Sequence, residues 1–295
     1  MSTVDFSIIG AQKAATTFLQ NCLANCFDLF VEPYEQPFFE EVGRDRDEFP
    51  FIPSGKDMSY GIKRPDYLCM DEVPDRLHRH NPEMKIIVVL RDPVKRAQSA
   101  YYHYVRDGLL PNLPIDEGMT AVISGSLVPN YPRAESVLEF GLYGKALSRW
   151  FEVFPVSQIK ILGQNQLLED RKKHICEILN FLGSKDTDPT EYKGRPQFAI
   201  YNNQRLAWWR LMNRFNKIYS SDMMRYHAKR KGIVACIALA FMHGVDRLLI
   251  KRIHSERQEM SSGTTRKLEH FYANDRAALI ELLKRHKLNE GIVDW

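Results

Sequence analysis

Apolar and polar positions alternate along this chain in two rhythms. Val4–Ile9 is a short, mostly apolar run that stops at Gly10, and Thr16–Cys26 then places Phe18, Leu19, Cys22, Leu23 and Cys26 at helical spacing. That pattern predicts strand, loop, helix. Tyr60–Lys63 predicts a second strand, stopped by Pro65. In Lys85–Leu90 the core Ile86-Ile87-Val88-Val89-Leu90 is uninterrupted and largely β-branched, as in a strand buried on both faces. A helix follows from Arg91-Asp92-Pro93 to about Arg106. Tyr143, Leu147, Trp150, Phe151 and Phe154 mark another helix, ahead of a fourth strand at Ile159–Leu162. Strands alternating with helices imply an α/β fold with a parallel sheet and right-handed crossovers.

Three segments depart from this alternation. Leu109–Arg133, rich in Pro, Gly and Asn, reads as a long loop with at most a short helix. Arg205–Arg257 holds twelve Lys or Arg against three acids. Within it Trp208, Leu211, Met212, Phe215, Ile218 and Tyr219 form one helical stripe, and Val234, Ile237, Ala238, Phe241, Val245, Leu248 and Leu249 form a second. Two amphipathic helices packing on the domain with a solvated basic side is the plain reading. A lid over an anionic ligand and an interfacial membrane contact stay open beside it. The C-terminus reads as a helix over Thr265–Tyr272, a cap at Asp275 and a further helix to about His286. The expectation is one domain over residues 1–295 with a basic, mostly helical insert at about 205–257.

Composition narrows the class. The 295 residues are 44% hydrophobic, enough for an ordinary globular core, and the net charge of +4 is too mild to argue for nucleic acid. Five scattered cysteines without paired spacing favour reduced thiols over a disulfide framework or a zinc site. No secretory signal is visible, and the longest apolar run, Ile233–Met242, is well short of a membrane span. The expected setting is the cytoplasm, with no nucleic-acid partner, no stable membrane insertion and a homodimer left open.

Two motifs carry chemistry. Gly10-Ala11-Gln12-Lys13-Ala14-Ala15-Thr16-Thr17 joins the first strand to the first helix. There, backbone N–H groups and a helix N-terminus converge on one point, which suits a phosphate, with Lys13 adding charge and Thr16 and Thr17 adding hydroxyls. The nucleoside-triphosphatase pattern needs Lys directly after a second Gly, and this loop lacks it. The second motif, Arg91-Asp92-Pro93-Val94-Lys95-Arg96-Ala97-Gln98-Ser99, leaves the carboxyl end of the central strand, where open α/β sheets bind ligands. Arg91 and Ser99 suit a second anionic group. Two anion sites at two strand ends point to a nucleoside phosphorylated at both ends.

Taken in order, these segments resemble the sulfotransferases that use 3′-phosphoadenosine 5′-phosphosulfate (PAPS), especially the heparan sulfate branch and its bacterial relatives. Glu35-Gln36-Pro37-Phe38-Phe39, Lys63-Arg64-Pro65-Asp66-Tyr67, and Leu142-Tyr143 through Trp150 to Phe154-Pro155 agree with further family segments. The resemblance implies a P-loop-like parallel sheet flanked by helices, PAPS as co-substrate, the bisphosphate PAP as product, and no metal. It implies contacts to the 5′ end from Gly10, Gln12, Lys13, Ala14, Ala15, Thr16 and Thr17, and to the 3′-phosphate from Arg91 and Ser99. Lys13 and Lys63 would stabilise charge at the transferring group, and Glu35 would act as general base. His103, one turn after Ser99, is an alternative base, and Lys193-Gly194-Arg195 a candidate closing loop.

The chain also departs from the family pattern. Ala14-Ala15 replaces the commoner Gly-containing pair, so the loop is expected to use φ values an Ala tolerates. Arg64 stands where the family has Ser or Thr, and is expected to meet an anionic acceptor. Pro37 stands where the glycan enzymes often have His. His78 and His80 do not share a helical face, and Cys22 and Cys26 read as core. The expected acceptor is a small molecule, such as a bacterial secondary metabolite, sulfated on a hydroxyl or amine; a saccharide is the runner-up. A nucleotide kinase and a non-catalytic PAP-binding module are the rivals.

Overall fold

The structure is a computed structural model that describes residues 3–41, 58–186, 202–221, 223–224, 226–228, 232–250, 252 and 258–295. Along the chain run β1 (Phe6–Gly10), α1 (Thr16–Leu23), β2 (Leu29–Glu35), β3 (Ser59–Lys63), α2 (Val73–His80) and β4 (Lys85–Leu90). There follow α3 (Pro93–Asp107), α4 (Ile115–Ile123), α5 (Ser136–Glu139), α6 (Tyr143–Val153), β5 (Ile159–Gly163), α7 (Gln164–Glu169) and α8 (Arg171–Leu182). The remainder comprises α9 (Asn203–Asn216), β6 (Lys217–Tyr219), β7 (Tyr226–Ala228), α10 (Ile233–Val245) and α11 (Ser262–Arg285). The chain divides into two compact units, one of Met1–Pro93, Leu142–Pro196 and Tyr272–Trp295, the other of Val94–Gly141 and Gln197–Phe271.

The first unit is built on a five-stranded sheet, order β2-β3-β1-β4-β5, with every neighbouring pair parallel. This is the α/β, P-loop-like sheet that the sequence implied. Every residue of β1 is buried, as are all of β4 except Lys85. Both faces are therefore covered, which is why these strands lack alternation. The strand that the pattern missed is β2. Leu29 and Val31 are buried, but it carries Pro33 and ends in exposed residues, so at the sheet edge it has too little apolar content to show. Trp150 of α6 is fully buried, donates from Nε1 to the Leu68 carbonyl at 3.0 Å, and stacks on Phe154 at 5.9 Å.

The C-terminal reading needs correction. Ser262–Arg285 is one continuous helix, with Asp275 in its interior. Asp275 is a cap, but for a different helix: its carboxylate oxygens accept from the Gly144 and Lys145 backbone N–H groups, both at 2.9 Å. Those are orphan donors of the first turn of α6, which has no side-chain cap of its own.

In the second unit Tyr101, Tyr102, Tyr104 and Val105 of α3 are buried, as are Met119 of α4 and Leu206 and Met212 of α9. Leu109–Arg133, expected to be mostly loop, contains the nine-residue α4. The first insert stripe is helical only to Asn216; Lys217–Tyr219 instead pairs antiparallel with Tyr226–Ala228. The second stripe is a helix, but its apolar side chains do not pack as expected: Ile237, Phe241, Leu248 and Leu249 are exposed.

Candidate functional site

The strand order places four carboxyl ends side by side, and each bears a residue or loop singled out above. Glu35 ends β2, Lys63 ends β3, the Gly10–Thr17 loop leaves β1, and Arg91 follows β4. Glu35 and Lys63 are paired across the sheet, and Lys63 is in register with Ile8 of β1. A parallel sheet thus gathers residues from distant parts of the sequence onto one edge.

Gly10 is required by close approach, because a Cβ there would lie 2.7 Å from the Leu68 Cβ and 3.1 Å from the Pro65 carbonyl. Beyond it the loop does not follow the expectation for alanine. Lys13 has φ 68° and Ala15 φ 67°, both in the left-handed region that L-residues adopt at a cost of about 1–2 kcal/mol. Arg91 Nη1 holds this bend by donating to the Lys13 carbonyl at 2.8 Å. Gln12, expected at the ligand, donates its amide to Asp66 Oδ1 at 3.0 Å and so ties the loop to the turn after β3. Ala14 is fully buried, Thr16 is buried, and Thr16 and Thr17 open α1.

Lys63 is the centre of the arrangement. Its Nζ lies 2.9 Å from Thr17 Oγ1 and 3.5 Å from Glu35 Oε1, and its side chain is 5% exposed. Burial lowers its pKa, and the Glu35 carboxylate opposes that shift. Glu35 also pairs with Arg64, Nη1 to Oε2 at 2.8 Å. Arg64 is itself held by Glu40 and, at 3.5 Å, by Asp66, whose side chains are 1% and 4% exposed. Burial would lower the Arg64 pKa, but Asp66, Glu40 and Glu35 outweigh it and raise it further above the ordinary guanidinium value. Arg64 therefore faces three carboxylates of this chain, where the sequence suggested an anionic acceptor. Glu40 and Asp66 were not singled out by sequence reasoning; the family hydroxyl replaced by Arg64 was the available signal, since a buried Arg requires acids nearby.

The remaining candidates lie elsewhere. Ser99 is buried on α3 in the second unit. His103 meets Arg106 Nη2 at 2.8 Å and Asp107 Oδ2 at 3.7 Å in that unit. Lys193, Gly194 and Arg195 lie outside the described residues. His78 packs edge-on against Phe154 and His80 accepts from the Val4 N–H. All five cysteines are free thiols, and burial pushes Cys22 and Cys26 up to about 11 and about 12, which makes them inert core groups. Among the described residues no cluster of three or more His, Cys, Asp or Glu is arranged to hold a metal ion.

The loop that leaves β1, with its lysine and threonine side chains, thus lies beside a carboxylate on the next strand but one. The sulfotransferase-domain family model matches residues 4–236. The chain belongs to the sulfotransferase family. Among curated relatives, human heparan sulfate glucosamine 3-O-sulfotransferase 3B1 is 28% identical over 183 residues, covering 60% of this chain and 45% of that protein. Mouse heparan sulfate glucosamine 3-O-sulfotransferase 6 is 32% identical over 123 residues, covering 42% and 34%. These matches thus span less than half of each relative's length. The crystal structure of a sulfotransferase from Alicyclobacillus acidocaldarius matches with TM-score 0.64 at 20% identity, over 96% of this chain and 97% of that one. Mouse sulfotransferase SULT7A1 complexed with PAP matches with TM-score 0.50 at 17% identity, over 97% and 89%. At such identities the structural likeness shows the fold. This sulfotransferase fold contains, among the described residues, no helix long and apolar enough to cross a membrane.

Proposed function

We propose that this sulfotransferase moves the sulfo group of PAPS to a hydroxyl or amine of a small-molecule acceptor, leaving PAP. The observation that carries the reading is the position of Lys63 Nζ between the Thr17 hydroxyl of the loop and the Glu35 carboxylate. The donor set suits a nucleotide with an anionic 5′ end: loop N–H groups, two threonine hydroxyls and two lysines around a glycine that admits no Cβ. Lys13, Thr16 and Thr17 would hold that end, and Arg91 and Ser99 the 3′-phosphate. When bound, the donor supplies an activated sulfo group on a phosphate leaving group. Glu35 takes the acceptor's proton, and the two lysines stabilise negative charge that grows on the leaving oxygen.

A saccharide hydroxyl is the second reading for the acceptor, favoured by curated relatives named for heparan sulfate glucosamine. A binding module without catalysis is disfavoured by the intact Glu35–Lys63 pair. Transfer of radiolabelled sulfo group from PAPS to separate pools of alcohols, phenols, amines and oligosaccharides tests all three. Glu35→Gln is expected to cut transfer by about 10²–10⁴ while PAP still raises the melting temperature, and AMP, which lacks the 3′-phosphate, raises it far less. Equal shifts from PAP and AMP would remove the second anion site from this reading. No transfer to any pool by a folded, PAP-binding protein would leave the binding module.

A further inference from the structure

Helix α10 and the π-helical turn after it, Asp246–Ile250, bury Leu239 and an acid, yet leave large apolar side chains in solvent. Asp246 points inward, where both of its carboxylate oxygens accept from Arg205 of α9, at 3.0 and 2.9 Å. Four large apolar side chains point outward. Ile237 is 65% exposed, Phe241 71%, Leu248 58% and Leu249 56%. Ile237, Phe241 and Leu248 recur at spacings of four and seven, so they form one stripe along the helix. Exposed apolar residues gathered in this way mark an interaction surface.

Charge selects the occupant. Asp246 is the acidic residue of the stretch 232–250 and is neutralised by Arg205, while Arg247 and Arg252 are exposed. In sequence Lys229-Arg230-Lys231 precedes the apolar stretch and Lys251-Arg252 follows it, within a segment whose basic residues outnumber acids by twelve to three. A second copy of this chain would bring like charge against like around the same stripe. A bilayer offers the matching layout, apolar in depth and negative at its surface. We propose that the exposed face of α10 and its following turn docks on membranes rich in anionic lipid. Ile237, Phe241, Leu248 and Leu249 enter the boundary between headgroups and acyl chains, and Arg247 and Arg252 lie among the headgroups.

The test is flotation of the full chain with vesicles of phosphatidylcholine alone and of an equimolar phosphatidylcholine–phosphatidylglycerol mixture. Binding to the mixture is expected to be at least about tenfold tighter than to phosphatidylcholine and to weaken with salt. Phe241→Glu with Leu248→Glu is expected to lose at least about tenfold, with unchanged circular dichroism because both positions are exposed. Arg247→Glu should weaken binding to the mixture and make the remaining binding less dependent on salt than the wild type's. No flotation of the folded wild type overturns the proposal, as does undiminished flotation of the Phe241→Glu/Leu248→Glu variant. A concentration-dependent dimer that this variant abolishes, without vesicle binding by the wild type, would assign the face to a second copy instead.

Discussion

Replacing Arg64 by Met keeps much of its length and removes its charge, and the cost follows from where its partners lie. Glu40 and Asp66 have side chains only 1% and 4% exposed, and Arg64 itself is 16% exposed. Without the guanidinium, two carboxylates remain in a site that excludes water. Breaking a buried pair by removing one partner costs about 3–5 kcal/mol, because the charge left behind is uncompensated. The third arm is different in kind. Glu35 is 42% exposed, so Glu35→Gln, which breaks the 2.8 Å pair with the same arginine, is expected to cost no more than about 1 kcal/mol. Urea unfolding of both variants, with the slope held to the wild-type value, measures the contrast. Combining Arg64→Met with Glu40→Gln removes one of the stranded charges, so the pair should cost less than the sum by about 1–3 kcal/mol. An Arg64→Met loss no larger than that of Glu35→Gln would refute the reasoning, since burial would then not be setting the energy of this network.

Three further outcomes are expected. Asp107 sits among His103, Arg106 and Lys217, which outweigh burial and hold its carboxyl well below its ordinary value. A depressed folded value means the stabilisation is complete above the unfolded carboxylate range and is lost as pH falls. The stability gap between wild type and Asp107→Asn should therefore shrink by about 1 kcal/mol between pH 5 and pH 3; a constant gap in urea titrations over that range contradicts it. Asp275→Ala should cost about 1–2 kcal/mol by uncapping α6, and Asp275→Asn, which keeps an acceptor oxygen, clearly less. Equal losses by denaturation would mean that charge, not capping, is what Asp275 supplies. Ala15→Gly should leave stability unchanged or raise it by up to about 1 kcal/mol, because relief of the left-handed φ opposes added freedom of the unfolded chain.

What the sequence determined by itself is what local chemistry encodes. The uninterrupted run at Ile86–Leu90 could only be a strand covered on both faces, and Gly10–Thr17 could only join a strand to a helix. The order of short motifs carried the family. Tertiary structure decided the rest, because its causes are long-range. Edge strand β2 buries Leu29 and Val31 only and takes its place from β3, so nothing in its own pattern announced it. Asp275 had the chemistry of a cap in sequence, yet the helix it caps begins 132 positions earlier in the chain, at Tyr143. Arg64 next to Lys63 was visible, as was Asp66 two positions on, but its pairing with Glu35 and Glu40 exists only because adjacent parallel strands bring their carboxyl ends together. The stripe through Ile237, Phe241 and Leu248 is the same lesson reversed. Periodicity shows that a helix has an apolar face, but what covers that face depends on which surfaces the remaining chain has left to offer.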